Sequence, residues 1–293
     1  MTPISHYLRC DERELHYTEW AGPPGRTNET VIAWHGFART GRDMDDIGQH
    51  LAQRYRVICP DTIGRGLSQW SPDPAGEYTV PFYVRLATSL VDQLGLQRFH
   101  WLGTSMGGSI GILAAATTLR HRIRRLVIND IGPQPAAQAL ERILAYASKP
   151  PAFACVSELE AYLRTVYAPY GQLSDTQWRR MTETSARRLP DGRITTHYDP
   201  AIAMQLQTSS PEGLWPAWDS LDLPVLCLRG AHSDVLLPET AEEMRARGPL
   251  AVVVEIPGCG HAPALNTPEQ FALVERFLAA DAWITATEYA AIQ

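Results

Sequence analysis

The chain has no apolar run long enough to cross a membrane, and it has no long run of basic residues. Its 293 residues carry a formal net charge of −6 at pH 7, and the arginines form only a short cluster within residues 120–125. Nucleic-acid binding depends on clustered positive charge that attracts phosphates, so this balance gives no electrostatic reason to expect it. We therefore predict neither a membrane nor a nucleic-acid partner.

Cysteine is also scarce and odd in number, with 5 residues scattered along the chain. Cys59 and Cys227 lie in apolar strand-like segments, where a free thiol behaves as a small hydrophobic side chain. Residues 1–17 carry charges where a secretory signal needs an apolar stretch. These features favour a reducing compartment, and we predict a cytoplasmic protein. The sequence makes no prediction of the oligomeric state.

What is present is a composition typical of a globular protein, 45% hydrophobic and 20% charged, in which strand-like and helix-like segments alternate. Short apolar runs rich in β-branched residues indicate a parallel sheet that is covered on both faces. The predicted strands are residues 6–10, 15–20, 30–34, 56–59, 99–102, 126–129, 225–228 and 252–256. The predicted helices of this layered core are residues 44–53, 81–94, 106–119, 238–247 and 268–279.

Residues 132–221 follow a different pattern, with helical periodicity at 140–147, 157–167, 175–187 and 201–207 and no convincing strand. A helical segment inserted between two core strands predicts a cap over the carboxyl edge of the sheet, where open α/β sheets bind their ligands. We therefore expect an α/β core formed by residues 1–131 and 222–293, with a helical cap formed by residues 132–221.

Ser105 lies in the stretch Gly103-Thr104-Ser105-Met106-Gly107, between a predicted strand and a predicted helix. A strand–turn–helix elbow holds its serine in a strained conformation that lifts the hydroxyl above the sheet, and glycine on either side avoids a collision with neighbouring backbone. The five-residue pattern alone is weak, because a tight structural turn can also produce it. The strand before it and the helix after it favour a nucleophile.

A serine hydroxyl becomes a good nucleophile only when a base takes its proton, and His261 is the candidate base. Its loop follows the last predicted strand, which places it at the same sheet edge as the elbow. The imidazole in turn needs a carboxylate that fixes its tautomer. Asp130 and Asp234 each follow a core strand, and the topology allows either.

The backbone N–H groups of Met106 and Phe37 are the candidates for an oxyanion hole, which stabilises negative charge in acyl transfer. Met106 follows the serine directly, and Phe37 lies in the loop Trp34-His35-Gly36-Phe37 after the third predicted strand. We expect His35 to support this loop rather than to act as an acid or base.

Together these segments resemble the α/β-hydrolase fold superfamily, and more narrowly its small, capped, cofactor-free esterases, lactonases, perhydrolases and C–C bond hydrolases. The resemblance rests on residues 35–37, 61–68 (Asp-Thr-Ile-Gly-Arg-Gly-Leu-Ser), 103–108, the Asp234 loop and residues 260–261. It implies a mostly parallel eight-stranded sheet with helices on both faces and an inserted helical cap. It also favours Asp234 as the acid of a Ser105–His261–Asp234 triad, and it leaves Asp130 to anchor the turn into the cap.

The resemblance implies a serine hydrolase that cleaves a small carboxylic ester or lactone through an acyl-enzyme intermediate, without a cofactor. Dehalogenases and epoxide hydrolases of this fold carry an aspartate at the elbow, so the serine argues against both activities. The pairs His232/Asp234 and Cys259/His261 lack a recognised metal-binding spacing, and we predict no metal.

Two alternatives stay open. The first is hydrolysis of a C–C bond in a vinylogous diketone, because residues 103–108 resemble the elbow of such enzymes. These enzymes also need a cationic cap residue, for which the candidates are Arg142, Arg164, Arg179, Arg187 and Arg188. The second alternative is a ligand receptor that has kept the hydrolase fold.

Overall fold

The computed structural model describes residues 2–23, 29–207 and 212–280. Its strands are β1 (Ile4–Cys10), β2 (Arg13–Trp20), β3 (Thr30–Trp34), β4 (Arg56–Pro60), β5 (Phe99–Thr104), β6 (Ile123–Asn129), β7 (Ala186–Arg188), β8 (Ile194–Thr196), β9 (Val225–Gly230) and β10 (Val252–Ile256). Its α-helices are α1 (Asp45–Leu51), α2 (Pro74–Glu77), α3 (Val80–Gln93), α4 (Met106–Ala116), α5 (Ala137–Ala147), α6 (Val156–Val166), α7 (Asp175–Ser185), α8 (Trp215–Asp219), α9 (Pro238–Ala246) and α10 (Pro268–Ala279).

Eight strands form one sheet in the order β1-β2-β4-β3-β5-β6-β9-β10. The pairs β1–β2 and β2–β4 are antiparallel, and every other neighbouring pair in the sheet is parallel. The predicted mostly parallel eight-stranded sheet is confirmed. The predicted bounds of β3, β10 and α10 match the structure residue for residue.

Helices cover both faces of this sheet, as predicted, and the central strand β3 shows the reason. Val31 and Ala33 belong to one apolar cluster, whereas Ile32 and Trp34 belong to another. Side chains of a strand alternate between the two faces, so both faces of β3 must be covered by apolar residues. Helices α1 and α10 contribute to the first cluster, and α3, α4 and α9 contribute to the second.

Helix α4 approaches the sheet very closely because glycines face the strands. A Cβ atom on Gly107 would lie 2.3 Å from the Trp34 carbonyl oxygen, and one on Gly111 would lie 2.5 Å from Trp101 Nε1. Trp101 Nε1 also donates a hydrogen bond of 2.9 Å to the Gly107 carbonyl. The close packing fixes the first turn of α4 against the ends of β3 and β5.

Residues 132–221 contain a separate small apolar cluster, to which α6, α7 and β8 contribute. The segment contacts the loops that follow β3, β4 and β10. Arg39 donates to Ser185 Oγ at 3.0 Å, the Gly66 amide donates to His197 Nδ1 at 2.8 Å, and the Gly260 amide donates to the Pro169 carbonyl at 2.7 Å. These contacts place the segment over the carboxyl edge of the sheet. The partition into a core domain and a cap domain stays a prediction, and residues 1, 24–28, 208–211 and 281–293 of its ranges lie outside the described part.

The expectation of an entirely helical segment was wrong. Strands β7 and β8 form an antiparallel hairpin, and the predicted helix 175–187 ends at Ser185. The sequence Pro190-Asp191-Gly192 supplies the turn, with Gly192 at φ 88°, and such turn residues are a hairpin signal. The residues from Pro200 to Gln207 form a 3₁₀ helix, and Trp218 of α8 is buried in the sheet-side cluster with α4.

No helix in the described ranges has both the length and the apolar character that a membrane crossing requires.

The packing of α4 predicts that Gly107→Ala lowers the free energy of unfolding by about 1–3 kcal/mol, the usual cost of overpacking. The added methyl group would meet backbone atoms of β3, which cannot rotate away. Urea unfolding measures the change. Gly36→Ala is the matched control, because the nearest atom to its Cβ would be Ser105 Cβ at 3.6 Å, an ordinary contact distance. Equal losses of stability in the two variants would contradict this account.

Candidate functional site

Ser105 occupies a sharp turn between β5 and α4. Its φ of 51° and ψ of −117° lie in a region that non-glycine residues rarely adopt, and such strain is typical of functional sites. A Cβ on Gly103 would lie 2.2 Å from the Gly107 carbonyl oxygen, so glycine is needed on both sides of the serine. The Ser105 amide donates to the Asn129 carbonyl at 2.8 Å, which ties the turn to the end of β6.

His261 reaches Ser105 from the loop after β10. Its Nε2 lies 2.9 Å from Ser105 Oγ, and its Nδ1 lies 2.8 Å from Asp130 Oδ2. When Nδ1 carries the proton and donates to the carboxylate, Nε2 is free to accept the serine proton. The structure therefore brings Ser105 and His261 together as predicted. Asp130 is the third residue of this hydrogen-bonded row, Ser105–His261–Asp130.

Asp130 comes directly after β6, which is the neighbour of β5. Its side chain is fully buried, and its φ of 57° turns the carboxylate toward the His261 loop. Oδ1 accepts a hydrogen bond from the Gly230 amide at 2.7 Å, and Oδ2 accepts a second from Ser233 Oγ at 2.6 Å. The predicted role of Asp130 as an anchor for the turn into the cap was wrong, because the carboxylate binds the end of β9 and the imidazole.

The prediction of Asp234 as the acid is contradicted. Asp234 is exposed, and its carboxylate accepts hydrogen bonds from Arg142 Nε at 2.8 Å and from an Arg142 terminal nitrogen at 3.0 Å. In the turn after β9, the Ser233 amide donates to the Gly230 carbonyl, and Ser233 rather than Asp234 faces inward. The assignment failed because a loop pattern cannot show which of two adjacent side chains points toward the histidine.

Asn129 connects the two ends of the site, a role that was not predicted from the sequence. Its Nδ2 donates to Thr104 Oγ1 at 3.0 Å and to the Pro263 carbonyl at 2.8 Å, and the residue is fully buried. One amide group therefore holds the elbow and the His261 loop against each other. A polar residue at the end of an apolar strand was the available signal.

The loop after β3 is held by buried polar groups. His35 Nδ1 lies 2.6 Å from the Gly36 carbonyl, and its Nε2 accepts from the Thr62 amide at 3.0 Å. Burial lowers the pKa of His35 to about 4, so the ring is neutral at pH 7 and supports the loop.

Arg65 lies behind the same loop and was also missed. It is fully buried, and it donates to the Phe37 carbonyl at 2.9 Å and to Tyr83 Oη at 2.7 Å. One terminal nitrogen lies 3.6 Å from Met106 Sδ. The guanidinium therefore contacts both residues whose amides are the oxyanion-hole candidates. The signal was an arginine placed between two glycines in residues 61–68.

Ser105 lines two of the cavities that the described residues form. The larger one, here called the chamber, has a volume of about 650 Å³ and includes Phe37, Met106, Leu113 and Leu140 in its walls. None of the described residues that line the chamber carries a charge. The smaller one, here called the recess, has a volume of about 30 Å³ and is lined by residues that include Arg39, Arg142, Tyr146, Tyr167, Tyr170 and His261.

No group of three or more His, Cys, Asp or Glu side chains within residues 2–23, 29–207 and 212–280 is arranged to hold a metal ion. The absence of a metal and of a cofactor stays a prediction.

The sheet topology, the serine elbow and the serine–histidine–aspartate row define a hydrolase-type architecture, and comparison with known proteins identifies the class. The sequence profile of the Alpha/beta hydrolase family matches residues 31–273. The chain belongs to this family and is therefore an enzyme of the α/β-hydrolase class.

Particular relatives cover nearly the whole chain. The 3-hydroxybutyrate-oligomer hydrolase of Cupriavidus necator is 41% identical, over 94% of this chain and 98% of the relative. Haloalkane dehalogenase 2 of Mycobacterium tuberculosis is 24% identical, over 93% and 94% of the two chains. Among solved structures, a putative hydrolase from Rickettsia typhi has a TM-score of 0.86 at 27% identity, covering 96% of this chain and all of the other (100%).

The geometry predicts that Asp130 and not Asp234 activates Ser105. Fluorophosphonates react with activated serines, so the rate of labelling measures how strongly the row activates Ser105. The measurement does not require that the substrate be known. Asp130→Asn should slow labelling by roughly 10³–10⁴-fold, the effect expected when a carboxylate that holds a histidine becomes an amide. Asp234→Asn, a matched change at the exposed carboxylate, should label at close to the wild-type rate. The reverse result would restore the assignment of Asp234.

Proposed function

We propose that this chain is a serine hydrolase of carboxylic esters that works through an acyl-enzyme intermediate. The observation that carries the proposal is the hydrogen-bonded row Ser105–His261–Asp130 at the carboxyl edge of the sheet. In this proposal Ser105 is the nucleophile, His261 is the general base and then the general acid, and Asp130 orients the imidazole and stabilises its charged form.

In the first half of the reaction, Ser105 Oγ bonds to the ester carbonyl carbon while its proton moves to His261 Nε2. The tetrahedral adduct collapses as the carbon–oxygen ester bond breaks, and Nε2 gives the proton to the leaving alcohol. In the second half, water gives a proton to Nε2 and attacks the acyl-enzyme. The proton returns to Ser105 Oγ, and the acid is released.

The negative oxygen of each adduct would bind the backbone N–H groups of Phe37 and Met106. Both residues lie in the chamber wall with Ser105, and Met106 begins α4, so its amide lies at the positive end of the helix dipole. Each such donor contributes about 3 kcal/mol to transition-state stability. Arg65 supports this role, since it contacts both residues and places a buried positive charge behind them.

We propose short oligoesters of a 3-hydroxy acid as the substrate class. The 41% identical relative is named for 3-hydroxybutyrate oligomers, and its similarity extends over nearly the full length of both chains. The chamber volume of about 650 Å³ lies within the range of about 300–1,000 Å³ that is typical of small-molecule pockets. Its uncharged walls suit the neutral ester backbone. Lactones and C–C substrates have no comparable support.

A substrate panel with a serine variant tests the proposal. The wild type should hydrolyse p-nitrophenyl butyrate and the 3-hydroxybutyrate trimer. Ser105→Ala should lower kcat by roughly 10⁴-fold or more, because the nucleophile is absent. Its free energy of unfolding should change by less than about 1 kcal/mol. Ser89→Ala, on α3 and outside the chamber and the recess, is the matched control.

Three outcomes would contradict the proposal. Cleavage of a vinylogous diketone without ester cleavage would indicate a C–C hydrolase, and tight binding of an ester without turnover would indicate a receptor. A large loss of stability in Ser105→Ala would mean that the serine has a structural role.

A further inference from the structure

The chamber and the recess differ in charge as well as in size. The described lining of the chamber is uncharged, whereas two guanidinium groups, from Arg39 and Arg142, border the recess. A linear oligoester of a 3-hydroxy acid is similarly asymmetric, because one end is a neutral hydroxyl and the other is a carboxylate. Placing a carboxylate in an apolar cavity is costly, so the charged end is expected on the recess side.

Proton transfer in the proposed reaction also distinguishes the chamber from the recess, independently of charge. His261 lines the recess and does not line the chamber. The imidazole delivers its proton to the leaving alcohol, so that alcohol must depart on the side of His261. The acyl part then lies in the chamber, which the oxyanion-hole candidate Met106 borders, whereas the other candidate, Phe37, borders both cavities. Charge and proton delivery therefore assign the same orientation to the substrate.

Of the two arginines, Arg39 already binds other groups of the protein. It is buried, it donates to both carboxylate oxygens of Asp43 at 2.6 and 2.7 Å, and it donates to Ser185 Oγ. Its guanidinium lies 4.7 Å from the centre of the Tyr167 ring. A substrate carboxylate would have to break this buried set of contacts.

Arg142 is placed differently, on α5 at the rim of the recess. Its contact with Asp234 joins two exposed side chains, 46% and 50% accessible, and an exposed pair of this kind contributes little to stability. A ligand carboxylate can therefore replace Asp234 at low cost. The recess has a volume of only about 30 Å³, so a hydroxy-acid unit there requires it to widen, and the exposed Arg142 at its rim is the side chain that we expect to move.

We propose that Arg142 binds the free carboxylate of the leaving unit, so that the chain shortens 3-hydroxy-acid oligoesters one unit at a time from the carboxyl end. The inference rests on the proposed ester hydrolysis. In the cleaved bond, the carbonyl carbon passes to Ser105 Oγ, and the ester oxygen leaves as the hydroxyl of a 3-hydroxy-acid carboxylate with the proton from His261. Water then releases the shortened oligomer.

The test uses a 3-hydroxybutyrate trimer whose hydroxyl end carries a benzoyl group, as the free acid and as the methyl ester. The wild type should release unlabelled monomer first from the acid. Its kcat/KM for the acid should exceed that for the methyl ester by about tenfold, the value of one hydrogen-bonded charge pair. Arg142→Gln should remove this preference mainly through a higher KM for the acid, and Arg142→Lys should keep part of it.

The ratio of the kcat/KM values for the acid and for the methyl ester is taken within one protein, so it corrects for any change in the folded fraction. Arg179→Gln, an exposed arginine on α7, is the matched control and should keep the wild-type ratio. Benzoylated monomer as the first product, an equal rate for acid and methyl ester, or an unchanged preference in Arg142→Gln would each overturn the inference while the ester-hydrolase proposal stands. Cleavage of p-nitrophenyl butyrate with neither trimer cleaved would overturn the inference and the oligoester class together.

Discussion

One buried carboxylate organises the site. Asp130 accepts hydrogen bonds from the Gly230 amide, the Ser233 hydroxyl and the His261 imidazole. An unpartnered charge in this position would cost several kcal/mol, so all three donors are needed together. These donors come from the end of β9 and from the loops after β9 and β10. Satisfying the carboxylate therefore fixes these segments relative to β6, and the histidine is positioned as a result.

Much of this arrangement follows from the sequence, because the constraints are local. The mostly apolar β3 is predicted by its composition, and α10 is predicted by Pro268 in its first turn together with its apolar face. The turn at Ser105 is predicted because glycine alone fits at residues 103 and 107. His261 follows from topology, since the carboxyl ends of parallel strands share one edge of the sheet.

The acid could not be assigned in the same way. Asp130 and Asp234 both follow core strands, and the choice depends on which side chain the turn directs inward. That direction comes from the left-handed backbone of Asp130 and from the packing of the turn after β9, neither of which has a reliable sequence signal. The hairpin of β7 and β8 was missed because a short turn motif was outweighed by the helical pattern around it.

Part of the 132–221 segment forms its own apolar cluster, which includes Leu159, Leu163 and Trp178 and is separate from the clusters on the two faces of the sheet. Other residues of the segment, among them Ile202 and Trp218, belong to a cluster on one face of the sheet. Polar contacts such as the one between Arg39 and Ser185 join this segment to the loops beneath it. Mutations of the residues in this separate cluster are therefore expected to leave the packing of the sheet largely intact. Over evolution, the range of accepted molecules can diverge among descendants while the reactive groups are inherited unchanged.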